Sequence, residues 1–216
     1  IVVDNSDDSA EKFESDNPNV TVIKDVQNRG FGNACNIGVR YSQGKYILFL
    51  NNDTIMHKGT LEACVGYMCQ HLKVGALGVR TLLADGSLDH ACKRGFPTPM
   101  SSLYYFLGLD KKYPQNKKFG AYRQTFLAEE EISEVDSVAG SFLMMPRTLF
   151  DNLGGFDESF FMYGEDLDLC FRIKQKGLSV VYYGKAAITH LKGQSGLHTK
   201  SEEVVRHFYD AMIIFY

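Results

Sequence analysis

The chain contains 216 residues, of which 44% are hydrophobic and 23% are charged, the proportions of a globular domain with one buried core. Its formal net charge is −3 and its longest basic tracts are Lys111-Lys112 and Lys117-Lys118, so nucleic acid is not expected as a partner. No apolar run approaches the roughly 18 residues that cross a bilayer, and the five cysteines lack the spacing of a zinc or redox motif. These features predict a cytoplasmic enzyme with reduced cysteines.

Short apolar runs alternate with amphipathic stretches along the chain, which is typical of an α/β fold. We predict strands over residues 1–3, 20–24, 45–50, 74–79, 179–183 and 186–189, and a further apolar run over 138–145. We predict helices over residues 9–15, 31–41, 59–72, 147–153, 165–176 and 201–216. The aromatic and lysine-containing stretch 96–128 shows no clear period, and we expect a mobile loop over a site there.

Asn51, Asn52 and Asp53 follow directly after the strand predicted over residues 45–50. In open α/β sheets, ligands bind beyond the carboxyl ends of the strands. A carboxylate at that position is suited to hold a divalent cation against a phosphate group. The same three residues also suit the cap of a turn, so this segment alone leaves both interpretations open.

Glu165, Asp166 and Asp168 open a predicted helix that follows an aromatic stretch over residues 160–163. Acidic residues at a helix start need no functional explanation, because the helix dipole favours negative charge there. A partly desolvated carboxylate beside a substrate hydroxyl is, however, suited to act as a general base. Arg172 lies four residues after Asp168, so we expect the two to pair on one helical face.

Two further segments contain residue types that suit phosphate and metal binding. His190 ends a predicted strand and is followed by Lys192 and Ser195 in a Gly-rich loop, although a structural role for the histidine is the alternative. Gly30 and Gly32 stand at the start of a predicted helix, where glycine permits close backbone approach to an anion. The spacing is not that of a dinucleotide fingerprint, and no phosphate-cradling loop of the NTPase type occurs in the sequence.

Five segments follow one another in a recognisable order, namely Ile1-Val2-Val3-Asp4-Asn5-Ser6, Asn28-Arg29-Gly30-Phe31-Gly32, Leu50-Asn51-Asn52-Asp53, Gly155-Phe156-Asp157 and Gly164-Glu165-Asp166. In order and spacing they resemble family 2 glycosyltransferases of the GT-A fold, with the rhamnosyltransferase-like branch the most similar. The resemblance implies a Rossmann-like α/β fold, with a mixed, mostly parallel sheet flanked by helices. The first strand of that fold is expected to be missing here, because the chain starts and stops within predicted elements.

The resemblance also implies the roles of individual residues. The donor would contact Asp4, Asn28, Arg29, Gly30, Gly32, Asn51, Asn52, Lys192 and Ser195. Asp53 and His190 would hold Mn²⁺ or Mg²⁺, and Asp166, with Glu165 beside it, would be the catalytic base. Asn51 departs from the family's Asp-x-Asp motif, because an amide replaces the first carboxylate.

The function implied by the resemblance is that of an inverting hexosyltransferase in polysaccharide and cell-envelope biosynthesis. It would move a sugar from a dTDP- or UDP-sugar donor to a glycan or lipid-linked acceptor. Residues 1–95 would form the nucleotide-sugar-binding half of one domain, and residues 96–216 its acceptor and catalytic half.

We expect a cytoplasmic enzyme, peripheral at the inner face of the membrane, with membrane contact only through segments outside this chain. Two alternatives stay open at this point. One is a sugar nucleotidyltransferase, which would also use a metal and a nucleotide on an α/β sheet. The other is a non-catalytic domain that binds sugar nucleotides or glycans.

Overall fold

The computed structural model describes residues 1–6, 13–24, 27–192 and 202–216. Its strands are β1 Val2–Asp4, β2 Val22–Lys24, β3 Tyr46–Leu50, β4 Thr54–Met56, β5 Val74–Leu83, β6 Ile132–Val135, β7 Phe142–Pro146 and β8 Ser179–His190. Its helices are α1 Phe31–Arg40, α2 Thr60–Gln70, α3 Pro99–Phe106, α4 Leu109–Lys112, α5 Arg147–Leu153, α6 Glu165–Gln175 and α7 Glu202–Phe215.

A mixed sheet of six strands organises the chain. Its order is β3-β7-β5-β8-β4, and β6 pairs with the first part of β8. Strands β5 and β8 are parallel, whereas the other neighbours in this sheet are antiparallel. Strands β1 and β2 form a separate parallel pair. The predicted α/β class, with helices flanking a mixed sheet, is confirmed.

Alternation of side chains along β7 builds a hydrophobic core on each face of the sheet. Leu143 and Met145 belong to the buried cluster to which α1, α5 and α6 contribute. Phe142 and Met144 belong to a second buried cluster, to which α2 contributes. The sheet therefore lies between two helical layers, and its strand ends are left to carry polar side chains.

Several strands differ from the prediction. Strand β8 runs without interruption from Ser179 to His190, where two strands were expected, and β5 extends beyond the expected residue 79 to Leu83. Strands β4 and β6 were not predicted. They have three and four residues, too few to show an alternating pattern in the sequence.

Residues 96–128 contain α3 and α4, although we expected an irregular mobile loop there. Helix α3 begins with a capping box, in which Ser101 N donates to Thr98 Oγ1 at 3.1 Å and Thr98 N donates to Ser101 Oγ at 2.8 Å. Pro99 occupies the first turn, where its missing N–H costs nothing. These start signals were present in the sequence, but the helix is too short to show a period.

The helix predicted over residues 9–15 lies partly outside the described residues, and its described part, residues 13–15, is not helical. Across residues 1–6, 13–24, 27–192 and 202–216, no helix combines the length and the apolarity needed to cross a bilayer. The predicted pair of Asp168 and Arg172 is present, with Nη2 of the arginine 2.6 Å from the carboxylate. Arg172 also donates to the carbonyls of Leu153 and Gly155, so this pair anchors α6 to the turn after α5.

Candidate active site

The pairing of β4 with β8 brings Asp53 to His190. Thr54, the first residue of β4, lies opposite His190, the last residue of β8, so the residue before β4 meets the end of β8. Asp53 Oδ1 lies 3.0 Å from His190 Nε2, and the backbone N–H of Leu191 donates to the carbonyl of Asp53 at 2.8 Å. Asn51 Nδ2 lies 3.3 Å from the same ring nitrogen. The side chains of Asp53 and His190 are both buried.

A carboxylate oxygen and an imidazole nitrogen at this distance form a donor set that suits Mn²⁺ or Mg²⁺. Among the described residues, no group of three or more His, Cys, Asp or Glu side chains is arranged to hold a metal. Two protein ligands still fit a divalent ion that substrate phosphates complete, because Mg²⁺ commonly combines one or two carboxylates with phosphate oxygens. Asp53 and His190 thus fit the expected ion as a partial site.

Asp89 belongs to this site, although the sequence did not single it out. Asp89 Oδ2 lies 3.8 Å from His190 Nδ1 and 3.0 Å from Lys192 Nζ, on the side of the ring away from Asp53. A carboxylate beside the second nitrogen is the usual way to orient a metal-binding histidine. Burial alone would raise the pKa of Asp89, but its contacts with His190 and Lys192 outweigh burial and hold the pKa well below its ordinary value.

Asp166 lies in the first turn of α6, where three N–H groups converge on its carboxylate. Oδ2 accepts from Arg94 Nη2 at 2.6 Å and from the backbone N–H of Gly140 at 3.0 Å, and Oδ1 accepts from Leu167 N at 2.8 Å. The same nitrogen of Arg94 donates to the carbonyl of Val138 at 3.2 Å. Arg94 and Asp166 are both largely buried, so this ion pair fixes the position of the carboxylate.

Arg94 is the second site residue that the sequence did not reveal. It follows Cys92 and Lys93 after a 3₁₀ turn, without any motif to mark it. Its contact with Asp166 joins residues 72 positions apart, and such a contact cannot be read from local spacing.

Glu165 differs from its neighbour because one of its carboxyl oxygens accepts no hydrogen bond. It is buried, and its Oε2 has no hydrogen-bond partner among the described residues. Burial, and then the negative charge of Asp166, raise the pKa of Glu165 from 4.5 to about 8. The two adjacent carboxyl groups therefore lie in contrasting environments, since three N–H groups bind Asp166 whereas Glu165 is buried with Oε2 unpartnered among the described residues.

A short backbone segment connects Asp166 to the end of β3. The backbone N–H of Asn51 donates to the carbonyl of Ser141 at 3.3 Å, and the adjacent Gly140 donates to Asp166. A Cβ at Gly140 would lie 3.9 Å from Cβ of Asp166 and 3.2 Å from the ring of Phe31. Gly140 and Ser141 therefore connect the segment that carries Asp53 to the start of α6.

A cavity of about 300 Å³ is lined by Asp89, which lies next to His190, and by Arg94, which binds Asp166, together with Tyr105, Tyr122 and Arg123 from the 96–128 segment. Asp53, His190 and Asp166 are not among the residues that line it. A larger cavity of about 430 Å³ is lined by residues of α2, β6 and the first residues of β5 and β8, remote from these groups. We place the site at the smaller cavity, because its walls touch both groups of buried charges.

Asp4, Asn28 and Arg29 form another group, beyond the ends of β1 and β2. Asp4 accepts hydrogen bonds from Ser6 N at 3.1 Å, from Ser6 Oγ at 2.5 Å and from the backbone of Phe13, and the bonds from Ser6 lower its pKa. Asn28 Oδ1 accepts from the side chain of Asn5 at 3.2 Å, which ties the ends of the two strands together. Arg29 is exposed, and its Nε donates to Gln27 at 3.3 Å.

Gly30 and Gly32 pack against the segment before α6. Gly30 has φ +95°, and a Cβ there would lie 2.2 Å from the carbonyl oxygen of Phe161, which also accepts from Phe31 N at 3.1 Å. A Cβ at Gly32 would lie 3.1 Å from Cβ of Phe156. Glycine is therefore needed at position 30 because the backbone of Phe161 comes close to it. Asn52 is exposed in the turn before β4, and Ser195 lies outside the described residues.

The sequence of this chain is similar to that of proteins from one family. Residues 1–208 match the family model described as Glycosyltransferase like family 2. The N-acetylglucosaminyl-diphospho-decaprenol L-rhamnosyltransferase of Mycobacterium tuberculosis (strain CDC 1551 / Oshkosh) is 28% identical over 201 residues, covering 88% of this chain and 64% of the relative. Rhamnosyltransferase WbbL of Escherichia coli (strain K12) is 35% identical over 164 residues, covering 71% of this chain and 57% of WbbL. The chain thus spans less than two thirds of either relative.

Solved structures show the same fold at low sequence identity. TarS residues 1–349 from S. aureus superpose with a TM-score of 0.52 at 15% identity, over 91% of this chain and 47% of that structure. The mannosyltransferase PcManGT from Pyrobaculum calidifontis, solved in complex with GDP-Man and Mn²⁺, superposes with a TM-score of 0.51 at 17% identity, over 89% of this chain and 46% of that structure.

Proposed function

Since this chain belongs to the family 2 glycosyltransferases, we propose that it transfers a sugar from a nucleotide diphosphate-sugar to a glycan or lipid-linked acceptor, with inversion at the anomeric carbon. The observation that carries this proposal is a single cavity lined by Asp89 and Arg94, each of which contacts one of two polar groups. One is the Asp53–His190 pair at the end of the sheet, and the other is the Arg94-bound Asp166 at the start of α6.

Asp166 is the proposed base. Its carboxylate takes the proton of an acceptor hydroxyl as that oxygen forms a bond to the anomeric carbon. The bond from this carbon to the donor's phosphate oxygen breaks on the opposite face, and the nucleoside diphosphate leaves with the electron pair. Arg94 and Gly140 hold the carboxylate in place, so little reorganisation accompanies the transfer.

Asp53 and His190 are the proposed metal ligands, with Asp89 orienting the imidazole. A bound Mn²⁺ or Mg²⁺ would supply positive charge against the diphosphate. Lys192 lies at the same end of β8 and would reach the phosphates from its contact with Asp89. Mn²⁺ in the complex of PcManGT with GDP-Man supports the choice of ion.

The remaining donor contacts are proposed at the ends of β1, β2 and β3. Asp4 and Arg29 would contact the nucleotide, together with Asn28 and the Gly30–Gly32 turn. Asn51 and Asn52 precede the metal ligand and would contact the sugar and phosphates. The names of two relatives support a rhamnosyl donor, and one of these names also supports a lipid diphosphate acceptor, so dTDP-rhamnose is the first donor to test.

The test separates the base from the metal ligand. We expect Asp166→Asn to bind dTDP-rhamnose in the presence of Mn²⁺ as the wild type does, but to lose roughly 10²- to 10⁴-fold in transfer, because an amide cannot take the proton. Asp53→Asn is the matched control, with the same change of a carboxylate to an amide. It should lose the Mn²⁺-dependent part of donor binding as well. Binding is measured by thermal shift, and transfer by release of nucleoside diphosphate with an N-acetylglucosaminyl-diphospho-lipid acceptor.

Normal turnover by Asp166→Asn would show that the base lies elsewhere. A wild-type chain that binds donor and never releases nucleoside diphosphate would favour the non-catalytic binding domain. The nucleotidyltransferase alternative predicts a product from sugar 1-phosphate and a nucleoside triphosphate. The family match over residues 1–208 argues against it.

A further inference from the structure

Helix α3 turns an apolar face to the outside of the molecule. Its inner face buries Ser101 and Tyr104, while the outward side chains are apolar and include the residue after the helix. The exposed fractions are 54% for Met100, 47% for Leu103, 63% for Phe106 and 63% for Leu107. These residues recur every three or four positions, so they form one continuous stripe. An exposed apolar stripe of this kind is typical of a surface that binds another molecule or a membrane.

A basic cluster lies next to this stripe. Lys111, Lys112, Lys117 and Lys118 are all exposed. Between residues 99 and 118 the sequence contains one acidic residue, Asp110, against these four lysines. Asp110 is buried and lies 3.4 Å from Arg123 Nη1, so it does not offset the lysines at the surface. The cluster stands out because the whole chain is net negative.

Aromatic contacts hold the lysine-containing segment against α3. Phe119 packs edge-on against Tyr104 of α3, with ring centroids 5.1 Å apart, and lies 5.6 Å from the ring of Tyr113. Lys118 Nζ lies 5.6 Å from the centroid of Tyr104, and Lys112 Nζ lies 5.4 Å from that of Tyr113. Lys118 therefore lies beside α3 through Tyr104 of its buried face, and Lys112 lies beside Tyr113, the residue that follows α4.

We propose that this surface, the α3–α4 patch of Met100, Leu103, Phe106, Leu107, Lys111, Lys112, Lys117 and Lys118, binds an anionic phospholipid membrane. Leucine, phenylalanine and methionine side chains would enter the boundary of headgroups and acyl chains, and the lysines would meet lipid phosphates. Tyrosine beside lysine is also typical of residues at a membrane interface. The sequence had led us to expect membrane contact only outside this chain.

The exposed residues of α7 offer a useful contrast. Phe208, Tyr209 and Ile213 are exposed, but Arg206 and Asp210 give this helix no single-sign charge. Only the α3–α4 patch combines an apolar stripe with a dense basic cluster among the residues that the structure describes. The apolar stripe alone would not identify the partner. The lysines beside it favour an anionic bilayer, because their positive charge complements the lipid phosphates.

The position of the patch gives it a function in transfer, and this step depends on the proposed function. Tyr105 of α3 lines the 300 Å³ cavity, as does Arg123, whose guanidinium carbon lies 4.7 Å from the centroid of the Tyr105 ring. The cavity is therefore built from the inner side of the segment whose outer side bears the patch. An acceptor anchored in the membrane by its lipid would reach the cavity without leaving the bilayer.

The experiment is vesicle flotation of the 216-residue chain, with phosphatidylcholine vesicles that contain or lack phosphatidylglycerol. We expect binding to the anionic vesicles, weakened by high salt, and little binding to phosphatidylcholine alone. The double variant Lys111→Glu, Lys112→Glu should reduce binding by roughly tenfold or more. Lys73→Glu, Lys176→Glu has the same charge change beside the first residues of β5 and β8, and it should bind like the wild type.

A further double variant, Leu103→Ser, Phe106→Ser, tests the apolar stripe and should also weaken flotation. Both changes replace exposed side chains, and thermal unfolding checks that the variants are folded. Absence of flotation with anionic vesicles, or an equal loss in both lysine double variants, would overturn the proposal. If light scattering shows a dimer that Leu103→Ser, Phe106→Ser dissolves, the stripe binds a second copy and the proposal is wrong.

Flotation needs neither donor nor turnover, so this proposal and the transfer function fail separately. Asp166→Asn should float like the wild type. If Asp166→Asn transferred sugar normally while the lysine variants lost flotation, the assigned base would be wrong and the membrane surface would stand.

Discussion

At the residue scale, two neighbouring acids of the candidate site differ in their hydrogen bonding. Asp166 accepts three N–H groups, whereas Glu165, one residue earlier, is buried with Oε2 unpartnered among described groups. The raised pKa of Glu165, about 8, has burial as its main cause and the charge of Asp166 as the next. Glu165 thus keeps its proton at neutral pH, and the two acids do not add two negative charges to one pocket.

This contrast predicts how stability changes with pH. The pKa of Glu165 is higher in the folded chain than in the unfolded chain, so its contribution is fully present below about pH 4.5 and is lost as the pH rises to about 8. Glu165→Gln has no proton to lose. Relative to the wild type it should gain stability between these pH values, by up to roughly 1.4 kcal/mol per pH unit. Urea unfolding near pH 5 and near pH 8 measures the difference, and a pH-independent difference would refute the assignment.

Local signals in the sequence identified some site residues and missed others. Asp53, Asp166 and His190 could be identified because each stands at the end or start of a predicted element. Asp89 and Arg94 could not, because the first resembles a turn cap and the second gains its partner only when residues 94 and 166 meet in the fold. Asp89 and Arg94, which orient the proposed metal ligand and base, were therefore harder to predict from the sequence than the residues that they orient.

At the scale of elements, α1 is positioned by the glycine that precedes it. Gly30 has a positive φ and almost touches the carbonyl of Phe161, so α1 lies directly against the segment that leads into α6. From the sequence we predicted that this glycine approaches an anion, which stays a prediction, whereas the observed close approach is to the backbone of Phe161. Strands β4 and β6 escaped prediction because long-range pairing with β8, and not their own pattern, makes them strands.

A pair of glycine variants tests this packing. Gly30→Ala places a Cβ 2.2 Å from Phe161 O at a φ of +95°, so we expect a loss of several kcal/mol, on the order of 3 or more. Gly86→Ala is the matched control, since its φ is +82° but nothing lies within 4 Å of the new Cβ. It should lose only about 1 kcal/mol. Urea denaturation compares the two, and equal losses would show that Phe161 yields easily.

At the scale of the whole molecule, the first and second halves of the sequence both contribute strands to the six-stranded sheet. Strands β3, β5 and β4 come from residues 1–95, and β7, β8 and β6 come from residues 96–216. Along the path β3-β7-β5-β8-β4 the strands of the two halves alternate, and only β6 pairs with a strand of its own half, β8, in this described sheet. The two halves proposed for donor and acceptor are distinct in sequence but inseparable in the core.

Neither half should fold without the other. We expect chains of residues 1–95 and 96–216, expressed separately, to show no cooperative thermal unfolding, because each would expose the strand edges that the other covers. Mixing or co-expression should restore a transition. Circular dichroism measures this, and a cooperative transition in either piece alone would contradict the prediction.

The bridge between Arg94 and Ser137, whose backbone groups exchange two hydrogen bonds of 2.9 Å, closes the neck of the long excursion between them. Within that neck, the stretch 96–128 supplies no strand to the six-stranded sheet. Residues 96–128 could therefore change in sequence or length without removing a strand from the sheet. Because Arg94 both pairs with Ser137 and binds Asp166, the start of this stretch is fixed next to the carboxylate that we propose as the base.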